Sequence, residues 1–530
     1  MKKKRIFGLA GLAAVVLAAG VGIYYTTSQH DSKGNGDLKV VTSFYPVYEF
    51  TKQVVGDEGE VSYLIPAGSE VHDFQPSTKN VINKTAMISC NPSTKNVADI
   101  EKADTFVYLN ENMETWVPKV EKNINTKHTK VIKASKGMIL LPGTEEEDHD
   151  HGGEEHYHEY DPHVWLSPKR SQKLVKTIRD GLIAQHPDKK AVFTTNAEKY
   201  LKKLQALDKE YTEAFSQAKQ KSFVTQHSAF AYLALDYGLT QVPISGVSAE
   251  SDPSAKRIAS LSKYVSEYDI KYIYFEENAS SSIAKTLANE VGVKTAVLNP
   301  IESLTTDQLK KGEDYVSVMT ENLKSLRLTT DIEGKDIQPE DGSNDKKTVQ
   351  NGYFDDKDVK DRELSDWSGE WQSVYPFLQD GTLDQVFEYK SLLNKDKTAQ
   401  EYKEYYTKGY QTDVSKIVID GKKMTMTFTK TDGSSVTHTY RYDGYKILTY
   451  SSGKKGVRYL FTATDSQAAD NPYQYIQFSD HQIDPTRSAH FHIFFGNSSQ
   501  EEILKEMDNW PTYYPGKLSG FEIAQEMVSH

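Results

Sequence analysis

Residues 38–56 read LKVVTSFYPVYEFTKQVVG, from Leu38 to Gly56. A short run rich in β-branched residues is followed by a helical pattern. The theme returns in TFVYLNENMETWVPKV (105–120), KVIKAS (130–135), KSFVTQHSAFAYLALDYGL (221–239), IKYIYFEENASSSIAKTLANEVGV (270–293) and KTAVLNP (294–300). Short apolar strands alternating with amphipathic helices predict parallel βαβ units, covered on both faces. Between the two halves, Tyr200, Leu204, Leu207, Tyr211 and Phe215 recur every three or four residues within 187–221. That pattern predicts one helix of about 30 residues and about 45 Å, long enough to back two lobes.

Near residue 328 the character changes. TTDIEGKDIQPEDGSNDKKTVQ (329–350) is polar, with Gly and Pro and almost no apolar periodicity, and reads as a linker. Beyond it, SKIVIDGKKMTMTFTK, SSVTHTYRYDGYKILTYSSG and GVRYLFTATD alternate in strand fashion. Asp-Gly and Gly-Lys pairs are expected to be the turns of an antiparallel β domain over 351–530.

At the other end, Lys2, Lys3, Lys4 and Arg5 precede an apolar run from Ile6 to Tyr25. Residues 1–28 read as an export signal or a membrane anchor, and 29–36 as a flexible tether. Gly20 stands in LAAG where a surface lipoprotein of a Gram-positive bacterium would carry its lipid-bearing cysteine. The expectation is an extracytoplasmic protein on the outer face of the cell membrane, secreted or anchored by residues 6–25. Net charge is −12 over 530 residues, which argues against a nucleic-acid partner. Cys90 is the only cysteine, so disulfides within the chain and cysteine-based metal sites are excluded. PSTKNV occurs at Pro76–Val81 and again at Pro92–Val97, a local duplication expected to bulge the chain after His72.

A third of the 15 histidines lie in EEEDHDHGGEEHYHEYDPH, from Glu145 to His163. Residues 145–159 cannot build a core. His149, His151, His156 and His158 are expected to form a mobile loop that gathers divalent cations weakly. HEYDPH has one spacer too many for a helical zinc-hydrolase motif, and Pro162 bars the helix. His163, in YDPHVWLSP, leaves this loop for packed structure. His72, in GSEVHDFQP, and His227, in FVTQHSAF, follow short strands, and Glu302, in LNPIES, lies just past another. Ligands of α/β folds bind outside the carboxyl ends of strands.

These motifs carry a resemblance. FYPVYEFTKQV, NENMETWVPK, YDPHVWLSP, FVTQH and IYFEENAS resemble the ZnuA-like metal-binding proteins of bacterial ABC importers, and among them the AdcA type. The resemblance implies that 37–328 form a two-lobed α/β solute-binding domain joined by a long helix. It implies one metal in the cleft, held by His72, His163, His227 and Glu302, with Glu276 and Glu277 competing for the fourth place. Three imidazoles and a carboxylate suit Zn²⁺ better than Mn²⁺. In the second half, IQFSDHQIDPTRSAHFHIFFG places His490 and His492 on one face, with Phe491 turned to the core. Residues 351–530 resemble ZinT, a lipocalin-like barrel, which implies that His481, His490 and His492 hold a second Zn²⁺. The functional expectation is a monomeric, non-enzymatic protein with about one zinc per domain. It captures Zn²⁺ for a zinc ABC permease, and the second domain is an accessory scavenger. The alternatives are a surface metal-dependent hydrolase, with Glu276 as its base, or a metal-binding adhesin.

Overall fold

The structure is a computed structural model. It describes residues 38–65, 71–72, 94–143, 160–243, 255–276, 288–290, 292–335, 347–465 and 471–529. Residues 1–36, Pro76–Val81, Cys90, the loop 145–159 with its four histidines, and Glu277 lie outside the described residues. The chain divides into two compact units, Met1–Ile337 and Gln338–His530.

In the first unit two four-stranded parallel sheets form. One has the order β2-β1-β3-β4, from β1 (Leu38–Thr42), β2 (Gly59–Tyr63), β3 (Thr105–Tyr108) and β4 (Lys130–Lys133). The other has the order β6-β5-β7-β8, from β5 (Ser222–Thr225), β6 (Thr240–Pro243), β7 (Tyr272–Phe275) and β8 (Lys294–Val297). The two orders are equivalent. In each, the chain moves outward once and then crosses to the other side, so strand order reverses beside β1 and beside β5. Every residue of β3 and β5 is buried, as expected for strands covered on both faces.

Helix α1 (Tyr45–Val55) follows β1 directly, with proline in its first turn where no backbone N–H is missed. Helix α2 (Pro168–Gln185) opens with the Ser167 side chain accepting from the Arg170 N–H. The long helix α3 (Lys190–Ser216) has 27 residues, about 40 Å at 1.5 Å per residue. It buries Tyr200, Leu204, Leu207, Tyr211 and Phe215 on one face. Its first half meets α1: Asn196 Nδ2 donates to Val54 O at 3.1 Å, and Tyr200 packs on Phe50. Its second half meets the other lobe. Tyr211 OH donates to Met319 O at 2.7 Å, in helix α4 (Tyr315–Thr330), and its ring packs on Tyr237. One amphipathic face therefore holds both lobes.

The second unit is a closed antiparallel barrel of eight strands, in the order β10 through β16 and back to β9. They are β9 (Gly369–Ser373), β10 (Val414–Asp420), β11 (Thr425–Lys430), β12 (Ser435–Thr449), β13 (Lys455–Ala463), β14 (Tyr475–Ser479), β15 (Phe491–Gly496) and β16 (Thr512–Pro515). Closure removes sheet edges. Trp367, Trp371, Phe428, Phe461, Phe478 and Phe491 belong to one buried cluster. The expected turns form at Gly421, Gly433 and Gly453, but Asp443-Gly444 is not a turn. It lies inside β12, where pairing slips between Tyr442 and Gly444 and Gly444 takes φ +97°. The glycine there makes a β-bulge in a 15-residue strand.

Arg362 pins the loop after β14. It is buried, donates to Asp366 Oδ2 (2.8 Å), Asp480 Oδ1 (2.7 Å) and Thr486 O (2.7 Å), and lies over Trp367. Arg362→Met leaves Asp480 buried without its cation. We expect the second unit to lose roughly 3–5 kcal/mol, read as a lowered urea midpoint of its unfolding transition by tryptophan fluorescence.

Two candidate metal centres

Three donors of the first centre follow strands in the chain, while His163 stands directly before the 3-10 turn Val164–Leu166 that leads into α2. His72 comes after β2, His227 two residues after β5, and Glu302 after β8. His227 and the neighbouring Glu276, next after β7, flank the point where strand order reverses in the second sheet. Ligands of open α/β sheets collect at such points.

All four side chains are buried, and one donor atom from each falls within 4.8 Å of the others. His72 Nε2 lies 3.2 Å from His163 Nε2 and 3.2 Å from Glu302 Oε1, and His163 Nε2 lies 3.5 Å from Glu302 Oε1. The His227 ring sits 4.9 Å from that of His163 and 5.7 Å from that of His72, centre to centre. Metal–ligand bonds near 2.05 Å at tetrahedral angles separate neighbouring donors by about 3.3 Å. The spacings among His72, His163 and Glu302 match those edges.

Carboxylates behind the imidazoles set their tautomers. Asp161 Oδ1 accepts from His163 Nδ1 at 2.8 Å and from its backbone N–H at 2.9 Å. Glu276 Oε1 accepts from His227 Nδ1. Both rings therefore turn Nε2 toward the centre, the usual second layer of a histidine metal site. Glu276 is thus no competitor for the fourth place; that expectation is corrected, because its carboxylate is spent on the back of His227. Sequence reading also missed Asp161. Its only local signal is the offset of two residues from His163 across a proline.

The Glu302 loop is held tightly. Trp165 Nε1 donates to Pro300 O at 2.7 Å, tying the His163 segment to it. Asn322 on α4 pairs with the Asn299 backbone through both amide atoms, at 2.8 and 2.7 Å. Asn299 Oδ1 accepts from the Ile301 N–H at 2.7 Å. Ile301 has φ +56°, a genuine departure for a β-branched residue, immediately before the ligand.

Burial and charge oppose each other here. Burial holds His72 below its ordinary pKa, against the pull of Glu302. Burial also lowers His163, but Asp161 and Glu302 outweigh it and push that imidazole up to about 9. Burial raises Glu302, yet His72 and His163 keep it well below the usual carboxylate range. A proton on His163 Nε2 therefore stands where a cation would.

The second centre brings together His481, His490 and His492, again with donor atoms within 4.8 Å. His481 Nε2 and His492 Nε2 are 3.3 Å apart, the same tetrahedral edge. His490 and His492 flank Phe491, which is buried in the core cluster, so both imidazoles lie on the outer side. Thr512 Oγ1 donates to Trp510 O, so it accepts from His492 Nδ1 at 2.7 Å and frees Nε2. The His490 ring stacks on Tyr514, with Glu526 Oε1 3.7 Å from its Nδ1. His481 takes φ +62° in the loop that Arg362 pins. Nothing in the sequence pointed to Thr512, which is twenty residues from its partner.

Residues 40–328 match a family model described as zinc-uptake complex component A, periplasmic, and 345–530 match one described as ZinT (YodA) periplasmic lipocalin-like zinc-recruitment. The chain is 58% identical over 519 residues to a zinc-binding lipoprotein AdcA of Streptococcus pneumoniae, covering 98% of this chain and 99% of the relative. It is 52% identical over 540 residues to a zinc-binding protein AdcA of Streptococcus pyogenes, covering all of both. The crystal structure of Zn(II)-bound AdcA from Streptococcus pneumoniae superposes with TM-score 0.83 at 58% identity, covering 93% of this chain and 100% of that one.

Asp161→Asn and Glu276→Gln keep volume but remove the charge behind an imidazole. Each should weaken Zn²⁺ at the first centre by about 10–100-fold, measured by competition with a chelating dye. The ligating nitrogen must be deprotonated. His163, raised to about 9, is protonated at neutral pH, so Zn²⁺ must expel that proton. Zn²⁺ affinity at the first centre should therefore climb with pH, by up to roughly tenfold per unit, and level off above about 9. Calorimetry in buffers of different ionisation enthalpy should show the released proton.

Proposed function

This chain belongs to the AdcA-type zinc-binding proteins of the ZnuA solute-binding family, with a ZinT domain, and from that premise we propose how its two centres share the work of zinc uptake. The first centre captures Zn²⁺ as cargo, through His72, His163, His227 and Glu302, for delivery to an ABC permease. The observation that carries this is the set of donor spacings. Three imidazole nitrogens and a carboxylate oxygen from two lobes fall within 4.8 Å of one another, and the spacings among His72, His163 and Glu302, 3.2 to 3.5 Å, match the edges of a tetrahedron sized for Zn²⁺. All four are buried, so part of the surrounding wall must move for loading and unloading. The second centre, through His481, His490 and His492, is an accessory scavenger.

We read the chain as a carrier, not an enzyme. A hydrolytic zinc needs an open position and a free base. The first centre has four protein donors, and Glu276, the one candidate base, is engaged with His227. The family is extracytoplasmic, and no helix among the described residues is long and apolar enough to cross a membrane. We place this member at the outer face of the cell membrane, as a monomer without a nucleic-acid partner.

Metal analysis of the full chain should find about one zinc per centre. His72→Gln with His227→Gln should remove one and spare the other, and His490→Gln with His492→Gln the reverse. Cells carrying only the first pair should fail to grow under zinc chelation. Full zinc content in either double variant would overturn the assignment of that centre.

A further inference from the structure

The two centres differ in charge and in closure. Around the first, Glu302 is a donor, while Asp161 and Glu276 stand behind two imidazoles. The second offers three imidazoles and no carboxylate among its donors. A tetrahedral ion there has one position that no described residue fills.

Beside that position is a cavity of about 320 Å³, with His481 and His492 in its wall. This is about ten times the ~30 Å³ share of one water molecule. Arg458, on β13, forms part of the same wall. Its guanidinium is buried against Phe494 and donates to Gln477 Oε1 (3.3 Å), Ile503 O (3.0 Å) and Glu506 O (2.6 Å), all neutral oxygens. It makes no ion pair among the described residues. A loaded centre therefore places a divalent ion and a guanidinium on one cavity, with no carboxylate among the donors to balance them.

The rim is apolar. Val349 (36% exposed), Tyr405 (50%), Tyr450 (41%) and Met507 (47%) all line the cavity. They are four of the ten large exposed apolar side chains among the described residues. A water or hydroxide ligand would need neither this volume nor this rim. Exposed apolar side chains gathered at one mouth mark a ligand-binding site.

We propose that the second centre takes its fourth ligand from outside the chain: a small organic carboxylate with an aromatic or apolar body, seated in this cavity. The carboxylate binds the zinc within the field of Arg458, and the body lies against Tyr405, Tyr450 and Met507. The domain then accepts zinc already complexed to such a carboxylate, as a ternary complex. This rests on the reading of His481, His490 and His492 as a metal centre.

The test uses the full chain carrying His72→Gln and His227→Gln, so that only the second centre reports, loaded with Co²⁺. Its d–d absorption is followed during titration with L-phenylalanine, with acetate (carboxylate without body) and with phenethylamine (body without carboxylate). L-phenylalanine should shift the band saturably, with half-saturation below about 1 mM. Acetate should need at least roughly tenfold more, and phenethylamine should do nothing. Arg458→Gln should raise the half-saturation about tenfold. Because Arg458 is buried, Tyr405→Ala and Met507→Ala, both at exposed positions, give an independent reading and should raise it several-fold. A cobalt band indifferent to L-phenylalanine up to ~10 mM, or equally responsive to acetate, overturns the carboxylate site while leaving the metal centre standing. Absence of any cobalt band overturns the metal centre and the proposal together.

Discussion

Four donor groups pressed together away from water are stable only around a cation. Nε2 of His72 and Nε2 of His163 stand 3.2 Å apart, and Glu302 faces both. Much of the first unit can be read as what makes that crowding possible. Two equivalent parallel sheets aim their carboxyl ends at one place. The long helix Lys190–Ser216 holds the lobes in register along a single apolar face. Asp161 and Glu276 orient two rings, and the Trp165–Pro300 and Asn299–Asn322 hydrogen bonds hold Ile301 in a backbone state it would not choose. Strain beside a ligand persists only when its surroundings over-determine it.

The barrel solves the same coordination problem with other means. Alternation along β15 turns Phe491 inward and His492 outward, and His490 stands just before the strand with its ring on Tyr514, so the imidazoles leave the core packing undisturbed. Orientation comes from a hydroxyl, Thr512, and a stacked ring, Tyr514, rather than from close carboxylates. The third histidine arrives from a loop fixed by a buried arginine. This centre is more open and more positive than the first, a chemical division of labour within one chain.

Much of the architecture was legible. Periodicity separated parallel α/β from antiparallel β, and the apolar face of the 187–221 segment announced a long helix. The seven histidine and glutamate side chains that the structure gathers into two clusters were all named from the sequence, His72, His227 and Glu302 through strand-end position and all through resemblance. What failed was instructive. Asp443-Gly444 carries the strongest short turn signal yet bulges a continuous strand, since pairing with β13 on both sides outweighs local preference. Glu276 was weighed as a ligand because adjacency to a strand end gives position but not direction. Arg362 and Thr512 had no signal, because their partners lie far along the chain.

By itself, then, the sequence determined the class of each domain and which residue types could ligate. Those follow from local periodicity and from the chemistry of side chains. Only the tertiary structure decided which imidazole nitrogens face their cluster, which carboxylate joins that cluster and which stands behind a ring. These are differences of about an ångström in the placement of groups up to 230 residues apart. Such placements are set by packing and hydrogen bonds across the fold, and no short stretch of chain encodes them.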